Sequence, residues 1–82
     1  KNVINQMNLT IWSSQSKILH IEGDVSEKSI CQIYDMQGLK VWETQLSGGC
    51  YNSFILSSLK TGVYLVTVTE GFQTYTRRVV LL

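Results

Sequence analysis

One segment of the chain reads Leu59-Lys60-Thr61-Gly62-Val63-Tyr64-Leu65-Val66-Thr67-Val68. Within it, a leucine and a glycine precede a tyrosine, and valines alternate behind that tyrosine. This order is typical of a tyrosine corner, in which a tyrosine at the start of a central strand of a β-sandwich hydrogen-bonds back to the preceding loop. The segment therefore predicts a strand whose Tyr64, Val66 and Val68 face the core. Leu59 is expected to close one end of that core.

The same two-residue period runs through most of the chain, and no stretch of ten or more residues has apolar positions at helical spacing. Short runs rich in β-branched and aromatic residues are separated by Gly- and Ser-rich segments, as in sandwiches. We predict an all-β domain over residues 8–82, a seven-stranded immunoglobulin-like β-sandwich, with residues 1–7 as a linker. The predicted strands are 8–13, 17–22, 29–35, 39–45, 51–56, 63–69 and 74–82.

Alternation also predicts which side chains of the other strands face the core. These inward residues are Leu19, Ile21, Cys31, Ile33, Val41, Phe54 and Leu56. Trp42 follows an inward valine and is expected to face outward, as is Trp12 if Ile11 faces inward. His20 stands between two inward residues, so we interpret it as an ordinary surface histidine.

Cys31 and Cys50 are the only cysteines in the sequence. Both fit inward positions, so both are predicted to be largely buried. The sequence leaves two alternatives open for them, a disulfide bond or two small buried hydrophobic side chains. Together with the single histidine they do not make a zinc site.

Asp35-Met36-Gln37-Gly38 marks the turn between the third and fourth predicted strands. Aspartate suits the first position of a type I turn, and a glycine that follows such a turn is free to adopt a positive φ. We therefore expect a tight hairpin in which Gly38 has φ above zero.

The composition argues against several classes of function. The formal charge is +1 and the only adjacent basic pair is Arg77–Arg78, which argues against a nucleic-acid partner. No apolar run approaches the ~20 residues of a membrane-spanning helix. The acidic residues fall at predicted turns or outward positions, so we predict no enzyme, no cofactor and no metal site.

Because the sequence begins with lysine, we expect it to be part of a longer exported protein.

Three stretches of the chain keep the order and spacing of a known set of motifs. They are Ile33-Tyr34-Asp35-Met36-Gln37-Gly38-Leu39-Lys40-Val41, Leu56-Ser57-Ser58-Leu59-Lys60-Thr61-Gly62-Val63-Tyr64-Leu65-Val66 and Thr74-Tyr75-Thr76-Arg77-Arg78-Val79-Val80. The first two are similar to the IYDxxGxxV hairpin and the LxxLxxGVYLV segment of the C-terminal sorting domains that Bacteroidetes append to exported proteins. The third resembles the closing strand of that family, which usually carries lysine where this chain has arginine. With Leu19-His20-Ile21 the resemblance covers residues 17–82.

The resemblance implies a Greek-key sandwich at the C-terminus of a larger secreted or surface protein. In that family the type IX translocon of the outer membrane recognises the domain, and a sortase-like peptidase commonly removes it. The implied partners are this machinery, the peptidase and the upstream domain, and the implied location runs from the periplasm to the cell surface or the extracellular space. Carried over by position, the recognition candidates are Asp35, Gly38, Gly62, Tyr64, Arg77 and Arg78. The two glycines also fit turn geometry, and the tyrosine fits the corner.

One stretch departs from the family pattern. Where the first strand of the family usually runs into a Pro-Asn-Pro turn, this chain has Trp12-Ser13-Ser14-Gln15-Ser16-Lys17, and it contains no proline. A second function therefore stands beside sorting, that of a passive structural or carbohydrate-binding accessory domain. In that alternative, Trp12 and Trp42 would be exposed aromatics that stack on sugar rings.

Overall fold

A computed structural model describes residues 8–82, which form seven β-strands and no helix. All seven predicted strands are present, and their ends lie within three residues of the predicted ones. The predicted linker, residues 1–7, lies outside the described residues. The strands are β1 (Thr10–Ser14), β2 (Ile18–Val25), β3 (Ile30–Asp35), β4 (Lys40–Gln45), β5 (Gly49–Ile55), β6 (Gly62–Glu70) and β7 (Gln73–Leu81).

The strands form two antiparallel sheets, one of three strands in the order β1-β2-β5 and one of four strands in the order β4-β3-β6-β7. The chain crosses between the sheets after β2, after β4 and after β5. This is the predicted seven-stranded immunoglobulin-like sandwich, in which alternate residues of each strand face the opposite sheet.

The core lies between the two sheets and confirms most of the predicted inward positions. Its members are Leu9, Ile11, Leu19, Ile21, Val25, Cys31, Ile33, Leu46, Leu56, Tyr64, Val66, Val68, Val79 and Leu81. Val41, Phe54 and Leu59 are half-buried and pack against this cluster, as predicted. Ile11 lies in the first strand and Leu9 directly before it, so the described chain is part of the core from residue 9 onward.

Lys17 joins three segments at one end of the sandwich. Its backbone N–H donates to the carbonyl of Leu82 (3.0 Å), and its own carbonyl accepts from the N–H of Leu56 (2.9 Å). Its ammonium group donates to the carbonyl of Leu59 (2.5 Å). Ser16 and Lys17 have φ of 67° and 58°, so a left-handed turn without proline connects β1 and β2 here. The turn that departs from the family pattern is therefore tied to the last strand.

The predicted outward orientation of Trp42 is wrong. The register between β3 and β4 shifts at a β-bulge, so that Ile33 pairs with Trp42 and Tyr34 pairs with Lys40. The extra residue, Val41, changes the alternation, because two residues of the bulged strand oppose one residue of its partner. Trp42 consequently packs against the core and meets the ring of Phe54 edge to face at 5.2 Å between centroids.

The predicted burial of Cys50 is also wrong, and the two cysteines are free thiols. Cys31 is completely buried, whereas Cys50 is exposed in a groove lined by acidic residues, among them Glu22 and Glu70. Two residues further along β5 the buried position is polar, and the Asn52 side chain there accepts hydrogen bonds from the N–H and hydroxyl of Ser47. Cys50 lies beyond that polar boundary, where the sheets no longer cover it.

This difference predicts two thiols of very different reactivity. Burial raises the pKa of the Cys31 thiol from 9.0 to about 12, so almost no thiolate forms there near neutral pH. In the folded domain we expect one fast equivalent in a titration with a chromogenic disulfide reagent, and a second only after denaturation. Cys50→Ser should abolish the fast equivalent, whereas Cys31→Ala should leave it. Two fast equivalents in the native protein would contradict the burial of Cys31.

Candidate recognition site

The β3–β4 turn uses the side chain of Asp35 to hold its backbone. One carboxylate oxygen, Oδ1, accepts hydrogen bonds from the N–H groups of Gln37 (2.9 Å) and Leu39 (3.0 Å). The Asp35 carbonyl accepts from the N–H of Gly38 (3.0 Å), and its N–H donates to the carbonyl of Leu39 (2.9 Å). Gly38 has the predicted positive φ, 91°. These two recognition candidates therefore keep the hairpin closed.

Tyr64 forms the predicted corner. Its hydroxyl donates to the carbonyl of Lys60 at 2.6 Å, and the residue is 8% exposed. Gly62 begins β6 two residues earlier with φ of 158°, close to extended backbone. A Cβ at that position would meet the ring of Tyr64 at 3.9 Å, an ordinary contact. This pair of candidates therefore shapes the entry to the central strand.

The two arginines of β7 leave their charges exposed. Arg77 donates from Nη2 to the hydroxyl of Tyr75 at 2.6 Å, and its guanidinium lies 5.6 Å from the centroid of the same ring. Arg78 projects from the outer face of the four-stranded sheet opposite Leu65. Within residues 8–82 the ion pair between Lys40 and Glu43 (2.6 Å) involves neither arginine. Both guanidinium groups are therefore exposed, and that of Arg77 is held against Tyr75.

The register brings five of the six candidates to one end of the four-stranded sheet. Asp35 pairs with Tyr64 across β3 and β6, and Gly38 lies in the adjacent turn. Gly62 pairs with Leu81, while Arg78 lies one position along from the corner, beside Leu65. Arg77 is on the same strand, but its position alternates to the inner face and its side chain reaches solvent at the sheet edge. The candidates are thus neighbours, although four of them maintain backbone geometry.

The two tryptophans do not form a common surface. Trp12 is 37% exposed on the outer face of the three-stranded sheet and stacks on His20 at 4.7 Å between centroids, with 10° between the ring planes. Both nitrogens of the His20 ring form hydrogen bonds with hydroxyl groups. The partner of Nε2 is Ser14 (2.7 Å), and the partner of Nδ1 is Tyr51 (2.5 Å). The outward position predicted for His20 is confirmed, but its stacking was not foreseen. Trp42 packs inward from the opposite sheet, so the proposed pair of sugar-stacking aromatics does not exist.

Three exposed or half-buried apolar residues, Val63, Leu65 and Val80, are not among the predicted site residues. They lie on the outer face of the four-stranded sheet, where Val63 pairs with Val80 and Leu65 with Arg78. Val63 and Val80 are 38% and 47% exposed. A signal for them was present, because residues 63–66 read as four consecutive apolar residues instead of alternating with polar ones.

Residues 8–82 hold no group of three or more His, Cys, Asp or Glu side chains arranged to bind a metal ion. The same residues include no helix of the length and hydrophobicity required to cross a bilayer.

The sandwich, its tyrosine corner and its Asp-x-x-Gly hairpin define a small immunoglobulin-like domain. Residues 14–82 match the family model of the secretion system C-terminal sorting domain, and the chain belongs to that family. This confirms the resemblance of the three motifs. The family provides the sorting signal of type IX secretion in Bacteroidetes, and it marks proteins for export to the cell surface or the extracellular space. No curated protein matches the chain.

Two glycine substitutions should separate backbone strain from steric conflict. At Gly38 a Cβ meets nothing within 4 Å, so Gly38→Ala should lower the free energy of unfolding by about 1 kcal/mol through the left-handed backbone alone. At Gly23, with φ of 132°, a Cβ would lie 2.5 Å from the carbonyl oxygen of Asn8 and 2.7 Å from Leu9 Cδ2. Gly23→Ala should therefore be the more damaging change in urea denaturation, and the reverse order would refute this assignment.

Tyr64→Phe should lower the free energy of unfolding by about 1 kcal/mol, the usual net contribution of one hydrogen bond, because the Lys60 carbonyl loses its donor. Tyr51→Phe is the matched control, since its hydroxyl lies on an exposed face and its loss should change stability by less than about 0.5 kcal/mol. Thermal or chemical denaturation measures both. Equal stability of Tyr64→Phe and the parent would exclude a stabilising corner.

Proposed function

We propose that the secretion machinery recognises this sorting domain through Arg77 and Arg78, while Asp35, Gly38, Gly62 and Tyr64 preserve the fold that displays them. The observation that carries this proposal is that four of the six candidates shape the turn and the corner of the domain, whereas the two arginines are exposed. The Asp35 carboxylate accepts hydrogen bonds from backbone N–H groups of the turn, and the Tyr64 hydroxyl donates to the Lys60 carbonyl. The arginines are exposed and outside the ion pair of the described chain.

Guanidinium groups favour a partner with carboxylate or phosphate oxygens. Arginine presents several N–H donors in a fixed plane and binds such groups with two hydrogen bonds at once. Two neighbouring arginines alternate to opposite faces of β7, and the inner one reaches solvent at the free edge of the sheet. A partner that approaches this edge can therefore contact both cations together. We assign this role to a component of the type IX translocon.

The same proposal includes removal of the domain by a sortase-like peptidase after transport from the periplasm. Leu9 and Ile11 are each 5% exposed in the core. A cut inside β1 would open the sandwich, because these side chains would leave with the cargo. Cleavage before Leu9 is therefore the arrangement compatible with a folded signal.

The accessory or carbohydrate-binding alternative has no comparable support, since Trp42 packs against the core.

A fusion of Lys1–Leu82 to the C-terminus of a periplasmic reporter tests the proposal. In a host with a type IX translocon, the parent fusion should appear at the cell surface or in the medium. The double variant Arg77→Gln with Arg78→Gln should remain in the periplasm, because the cations are lost while the strand and the core are kept. Reporter activity in separated cell fractions measures the distribution.

The matched control is Lys28→Gln, a charge loss at an exposed position outside the four-stranded sheet, which should be exported like the parent. The purified arginine variant should retain the β-sheet circular dichroism and melting temperature of the parent. Export of the arginine variant at the parental level would refute recognition through these residues. A parent fusion that stays in the periplasm would refute sorting by this domain in that host.

A further inference from the structure

The outer face of the four-stranded sheet is divided into two unlike halves. Near the β3–β4 turn it carries an apolar patch, which we define as Tyr34, Val63, Leu65 and Val80. The patch is continuous, because Tyr34 pairs with Leu65 and Val63 pairs with Val80. The other half of the face is mainly polar, with one apolar residue, Ile30, and the polar residues Gln32, Thr67, Thr69, Thr74 and Thr76.

An apolar patch is unusual on the solvated face of an antiparallel sheet. Such a face ordinarily alternates with the core side, so that polar residues point to water. A strand that reads as a continuous apolar run is typical of a strand covered on both faces. The first half of β6 has this pattern, yet Val63 and Val80 are 38% and 47% exposed in the isolated domain. The pattern indicates that another surface covers the patch when the domain is in use.

The charges of the domain are separated along the strand direction. The distal end, which we define by the β1–β2 turn, the β3–β4 turn and the β5–β6 loop, carries Lys17, Lys40 and Lys60. The carboxylates there are Asp35 in the turn and Glu43, which forms an ion pair with Lys40. Arg78 borders the apolar patch on the same half of the sheet. Among residues 8–82, the opposite, proximal end carries Glu22, Asp24, Glu27 and Glu70 with one lysine, Lys28. The end that holds the patch is therefore the basic one.

The N-terminal strand enters the sandwich from the other end. Thr10 begins β1 beside Glu22, at the proximal end, and Leu9 lies directly before it. The described part of the chain therefore begins at the acidic end, and the apolar patch lies toward the opposite end, where a separate partner can reach it.

We propose that the apolar patch and the basic residues around it form the docking surface for a component of the secretion machinery, whose contact surface is apolar at its centre and bordered by carboxylates. This inference rests on the proposed function and extends it from the two arginines to a whole face. Apolar side chains at the centre and charged groups at the rim are the usual arrangement of a protein interface. Charge complementarity would orient the domain with its distal end toward the partner and its upstream chain away from it.

The same reporter fusion tests the docking surface with substitutions that spare the core. Val63→Thr with Val80→Thr keeps side-chain shape and strand propensity on an outward face, and it should reduce the exported fraction about tenfold. The matched control, Thr69→Ser with Thr74→Ser, changes the polar half of the same face and should be exported like the parent. Lys60→Glu should reduce export, whereas Lys28→Glu at the proximal end should not. Melting temperatures of the purified variants verify that each remains folded.

The outcomes separate this inference from the proposed function. If Arg77→Gln with Arg78→Gln blocks export while Val63→Thr with Val80→Thr is exported normally, recognition by the arginines stands and the docking face is wrong. If the parent fusion is not exported, both proposals fail. If the purified chain self-associates in sedimentation velocity and the valine variant is monomeric, a second copy covers the patch and the assignment to the secretion machinery is overturned.

Discussion

The pairing of β3 with β6 is the contact on which the other strands depend. Cys31 lies opposite Val68 and Ile33 lies opposite Val66, and all four side chains are completely buried. These two strands occupy the middle of the four-stranded sheet, with β4 and β7 on their outer sides. Because side chains alternate with a period of two, a slip of one residue would turn every one of these groups toward water. The register of this pair thus determines which faces of the neighbouring strands are available to the core.

The domain achieves this arrangement without a cross-link, since its two cysteines are free thiols. Small exported domains frequently use disulfides because a short chain buries limited apolar surface. Here, hydrogen bonds close the distal end of the sandwich. Lys17 bonds to Leu82, the residue after the last strand, and Tyr64 anchors the loop before β6. These contacts join the two sheets at that end without a covalent link.

Much of this fold could be predicted from the sequence, because one strong pattern repeats along it. Alternation identified all seven strands, and the Leu-Gly-Tyr order identified the corner. The failures arose where the pattern is locally broken. A bulge at Val41 turned Trp42 inward, and a bulge cannot be read from alternation because it adds a residue without changing composition. Cys50 has inward parity, but parity does not reveal where the opposite sheet ends. For the candidate site, the motifs were enough to identify the residues. Only the contacts in the structure distinguish the residues that stabilise the turn and the corner from the exposed arginines.

The last strand, β7, is required for the domain to fold. β7 supplies Val79 and Leu81 to the core and pairs along its length with β6, and the turn at Lys17 bonds to the residue that follows it. These contacts join segments that are far apart in the chain, so they form only when residues 73–82 are present. A chain that lacks these residues would have an open sheet edge and an uncovered core, so it would not present the folded face. That face therefore exists only in a product synthesised through β7 and the residue after it, and a product that stops earlier does not display it.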